Sequence, residues 1–138
     1  ANRMFKDANS SYVAPPLAEQ GLVIFGITLA EIAFWTVWWS LAQSSGYVLA
    51  VLFLTVCLWG LHSFELAILR KRPITFYLKD PQTLLFTVVE GVGGTLWLVA
   101  IDAGNPLLGA LILFSALSLE HIIQGSALKP ELGQPSMA

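Results

Sequence analysis

Residues 47–73, YVLAVLFLTVCLWGLHSFELAILRKRP, decide the fold. The apolar part, about 47–69, is long enough at roughly 1.5 Å per residue to cross a hydrocarbon core of about 30 Å as one helix. Arg70-Lys71-Arg72-Pro73 then stops it with three positive charges and a proline. Near its end the run carries His62 and Glu65, groups that are costly to place in lipid.

Working outward, three more apolar runs lie at about 21–42, 83–101 and 107–128. Gln43-Ser44-Ser45-Gly46 is a short uncharged turn, so the second run returns antiparallel beside the first. Lys79-Asp80-Pro81 sets the start of the third helix, since proline suits a helix's first turn. Between the basic residues, Ile74-Thr75-Phe76-Tyr77-Leu78 belongs to the headgroup region. Asp102-Ala103-Gly104-Asn105-Pro106 joins the third run to the fourth. Residues 1–20 form a polar arm with no apolar core before a cleavage site, and so read as a soluble arm and not a signal peptide. Residues 129–138 form a polar tail. The expected fold is an all-α integral membrane protein, an antiparallel four-helix transmembrane bundle. All seven basic residues lie in the arm, the central loop and the tail, which places both termini on the cytoplasmic side.

Composition agrees, with 56% hydrophobic and 12% charged residues and a mean hydropathy of +0.71. The chain is too apolar to hide its surface in one soluble core. A net charge of −2 with scattered basic residues excludes a nucleic-acid footprint. The single cysteine, Cys57, leaves no intramolecular disulfide.

The chemistry sits in six groups: Glu31, His62, Glu65, Glu90, Glu120 and His121. With the approximate helix bounds, Glu65 lies about one turn above the inner face, and Glu90, Glu120, His62 and His121 about two turns, or about 10 Å. Glu31 lies nearer the midplane. An ionisable group at such depth costs several kcal/mol unless it is paired, protonated or facing a polar cavity, so similar depth in four helices points to one shared cavity. His62 and Glu65 are three apart on one face, with Trp59 a turn before them. Glu90 shares its face with Thr87, Gly94 and Trp97, and Gly91, Gly93 and Gly94 allow close helix approach. Glu120 and His121 are about 100° apart and address different neighbours.

Three chemical readings follow. The first is acid–base catalysis on a lipophilic substrate, an isomerisation or cyclisation of the sterol or isoprenoid class. His62, Glu65, Glu90 and Glu120 would be the catalytic groups, and Glu31, Trp35, Trp59, Trp97 and His121 would line the cavity. Apolar burial disfavours charged forms, so a neutral base and a protonated acid can coexist there. This reading needs no cofactor. In the second, Glu31, His62, Glu65, Glu90, Glu120 and His121 bind two transition-metal ions, an inventory like that of di-iron bundles, though the usual Glu-x-x-His spacing is absent. In the third, His62 and His121 ligate a haem or chlorophyll-type pigment. Against these stand two non-catalytic readings: a proton or ion path, and an accessory subunit whose polar groups serve as interhelical glue. Partners are membrane lipid, a lipophilic small molecule, and a homo-oligomer or larger membrane complex.

Leu58-Trp59-Gly60-Leu61-His62-Ser63-Phe64-Glu65, with the following 66–75 stretch LAILRKRPIT, resembles the helix-and-basic-loop pattern of transmembrane protein 254-like proteins over residues 58–100. That likeness implies a fold and no settled activity. His62 and Glu65 also resemble, more distantly, the membrane-embedded histidine and glutamate of the emopamil-binding protein group. Sterol isomerases of that group use these residues as acid and base, so the likeness implies lipid chemistry.

Overall fold

The computed structural model describes residues 17–132; the expected arm, apart from its last four residues, and the end of the tail lie outside them. These residues form α1 (Leu17–Ser44), α2 (Tyr47–Arg70), the single-turn α3 (Ile74–Leu78), α4 (Pro81–Asp102) and α5 (Pro106–Leu132), with no strand among them. Four of the helices are long and apolar enough to cross a membrane: α1, α2, α4 and α5.

Local chemistry sets the breaks. Gly46, at φ 101°, takes the backbone where a side chain is disfavoured and lets α2 begin with only Ser45 and Gly46 between it and α1. Lys71 turns left-handed at φ 51°, its N–H closing on the Ala67 carbonyl, and Pro73 follows. Asp80 caps α4, accepting from the Thr83 hydroxyl at 2.8 Å and from the Gln82 and Thr83 amides, with Pro81 in the first turn. Asn105 caps α5 through the Leu108 amide.

Burial is inverted relative to a water-soluble bundle. Leu22, Val48 and Phe114 are 73%, 75% and 71% exposed, whereas Thr83, Thr87, Thr95 and Ser63 are buried. Large apolar side chains outside and small or hydroxyl residues between helices are what a lipid-facing bundle requires. Helix α4 is the hub of the packing. A side chain at Gly91 would run into the Thr55 hydroxyl of α2, one at Gly93 would come within 2.6 Å of Ala116 on α5, and one at Gly94 within 2.7 Å of Trp35 on α1. Trp38 of α1 donates to Thr95 of α4 at 2.9 Å, and Asp102 accepts from Tyr47 at 2.6 Å and Gln43 at 3.1 Å. These bonds tie α1, α2 and α4 together at the end away from His62.

Candidate functional site

The same close approach brings α1, α2 and α4 together around His62, which is 8% exposed. One edge of its ring is committed. The Thr87 hydroxyl has one proton and donates it to the Thr83 carbonyl at 2.8 Å. It therefore accepts from His62 Nδ1, 3.0 Å away, which places a proton on Nδ1. Nε2 then points the other way. Phe86 packs edge-on against the ring at 5.4 Å and holds its plane.

Nε2 faces two carboxylates at equal range. Glu31 Oε1 of α1 and Glu90 Oε2 of α4 each lie 3.6 Å from it, beyond the range of an N–H···O hydrogen bond. The three ligand atoms lie within 4.8 Å of one another. The Glu90 side chain is 17% exposed and that of Glu31 33%. Glu31 opens onto a groove of about 480 Å³ along α1, bounded by Thr28, Ile32, Trp35, Thr36 and Trp39.

The remaining expected residues take different positions. Glu65 and Glu120, both partly buried, stand within electrostatic reach of His62 but outside the group of three. His121 is exposed on α5. Trp35 and Trp97 both pack against the core formed by Trp38, Ala42, Ala50, Leu54, Leu58 and Leu98, and Trp35 also borders the groove. The Trp59 indole N–H is buried with no partner, as are the hydroxyls of Thr55 and Ser63. These three stand four residues apart along α2, a row of polar atoms that water or a ligand must satisfy.

No family model, curated protein or solved structure matches this chain. What the site can do rests on its own side chains. Thr87 is the residue whose part sequence reading did not foresee. Its place on the face of Glu90 was legible, but its bond to His62 depends on the register between α2 and α4. The Trp38–Thr95 bond depends in the same way on the register between α1 and α4.

Proposed function

We propose that Glu31, His62 and Glu90 bind a divalent transition-metal ion within the membrane. The observation that carries this is the position of Nε2, 3.6 Å from each carboxylate oxygen, with Nδ1 held by Thr87. Ligands each about 2.1 Å from one ion stand roughly 3.0–3.6 Å apart for angles of 90–120°, so this separation suits a shared ion better than a hydrogen bond. Charge supports the same reading. Two carboxylates facing each other in a low dielectric repel, and a divalent cation neutralises both. A histidine whose other nitrogen donates to a fixed acceptor is the usual second layer of a metal site. One imidazole and two carboxylates suit iron, manganese or zinc.

The surrounding fold in this proposal is an antiparallel bundle with both termini on the cytoplasmic side, as the basic residues favour. The bound ion would supply Lewis-acid or redox chemistry, and substrates able to reach it are lipophilic. Glu31, the most open ligand, marks the side from which a further ligand approaches. A second reading keeps the same residues without metal, as an acid–base site for a sterol or isoprenoid. The positions of Glu65 and Glu120 within electrostatic reach of His62 and the likeness to the emopamil-binding protein group favour it. A structural subunit is the third.

Thermal unfolding of chelator-treated protein separates them. Manganese, iron(II) or zinc added at about 100 times its Kd should stabilise the protein by about 2.7 kcal/mol, raising Tm. Calcium should do little, since it prefers six or more oxygen ligands. No shift with any transition metal would favour the acid–base site.

A further inference from the structure

The two halves of the chain are versions of one unit. Sliding the sequence by 59 positions without a gap sets Thr28 on Thr87, Glu31 on Glu90, Thr36 on Thr95, Trp38 on Trp97 and His62 on His121. Leucine matches are expected between apolar helices. A match of both histidines in the chain, with the glutamate 31 residues before each, is not.

The structure repeats with the sequence. Thr28 and Thr36 donate to the carbonyls four residues back at 2.7 Å, as Thr87 and Thr95 do at 2.8 Å. Ala50 packs in the core that contains Trp38 and Ala42, and its counterpart Gly109 lies against Trp97 and Ile101. The first unit is α1 with α2, and the second is α4 with α5.

One interface lacks a counterpart. The second helix of the first unit, α2, packs on the first helix of the second unit, α4, and that step carries the contacts of His62 with Thr87 and Glu90. Repeating it would set α5 against the α1 of another unit. Among the described residues α5 and α1 share no substantial packing interface. Both of the corresponding faces are open: His121 and Phe114 are exposed on α5, and Thr28 and Ile32 are exposed on α1, where they border the groove beside Glu31.

We infer that α5 of one copy docks in the α1 groove of a second copy. His121 then meets Thr28 and Glu31 of the second copy as His62 meets Thr87 and Glu90 within the chain. The Thr28 hydroxyl, its proton committed to the Ile24 carbonyl, offers the same acceptor that Thr87 offers. Histidine facing glutamate gives the contact complementary chemistry as well as shape. The tight contact of Thr55 with Gly91 becomes Phe114 against Ile32, a wider apolar contact between copies. Such an interface is head-to-tail, and because the units share one orientation in the membrane it closes into a ring about the membrane normal. Two copies, with four units, form the smallest ring. The site at Glu31 thereby gains His121 from a second copy. The inference rests on the repeat and on packing, and holds with or without a bound ion.

Cysteine cross-linking in native membranes tests it. A chain with Cys57→Ser, Ile32→Cys and Phe114→Cys, treated with a short bis-thiol reagent, should run as covalent dimers or larger rings for at least half of the protein. The two single-cysteine chains should stay below a tenth, because each new cysteine meets the other type. Chelator should not change the result. Monomers only from the double variant, or equal cross-linking of either single variant, would overturn the inference.

Discussion

His62→Ala is expected to empty the site and to destabilise the bundle by about 3–5 kcal/mol, the cost of removing one member of a buried charged set. The imidazole is the only nitrogen donor in the group of three, and without it Glu31 and Glu90 face each other across a cavity. Two carboxylates in that position hold an ion more weakly and repel in its absence. His62→Gln separates the two effects. It keeps a donor for Thr87 and much of the volume, so it should recover part of the stability while leaving ion binding at least 100-fold weaker than in the parent. Ion content by elemental analysis and unfolding in mixed micelles are the two readouts. Full ion retention in His62→Ala would remove His62 from the ligand set.

Thr87→Val should lower metal affinity by about 10–100-fold, the range for loss of a second-layer partner of a ligating histidine. Valine is close in shape, so packing beside Phe86 is retained and the change is in the hydrogen bond alone. Without the acceptor, Nδ1–H is buried unsatisfied and the ring is free to turn or to shift its proton to Nε2, the atom that must bind the ion. Thr87→Ser, which keeps the hydroxyl, should restore affinity to within a few-fold. Equal weakening in both variants would mean that packing, and not the tautomer, is what Thr87 supplies.

The membrane-spanning pattern was legible because it rests on length and apolarity alone. The apolar run at about 47–69 became Tyr47–Arg70, and that at about 83–101 became Pro81–Asp102, with Asp80 and Pro81 marking the start as their chemistry requires. The first helix is already formed at Leu17, the first described residue, ahead of the apolar boundary near Gly21, because Leu17-Ala18-Glu19-Gln20 are good helix formers. Hydropathy marks where a helix can enter lipid, not where it starts. Ile74–Leu78, read as an interfacial stretch, forms a single helical turn after Pro73.

The site was legible by residue type and less so by grouping. Expensive side chains in apolar runs identify themselves, which is why Glu31, His62 and Glu90 were all candidates. Depth placed Glu31 nearer the midplane than His62, yet the two meet, since a glutamate side chain spans the difference of a turn. Depth also ranked Glu120 and His121 level with His62, but which groups converge depends on rotation about each helix axis. The glycines at 91 and 94 set that rotation by drawing α2 and α1 against α4. Helical spacing within one segment carries no information on it.

Elemental analysis of protein purified without chelator, alongside Glu90→Gln, tells whether Glu31, His62 and Glu90 hold an ion. At least one iron, manganese or zinc ion per chain is expected in the parent, and less than a tenth of that in Glu90→Gln. A parent chain that is metal-free, and stays so after incubation with each of these ions and removal of the excess, would contradict that expectation.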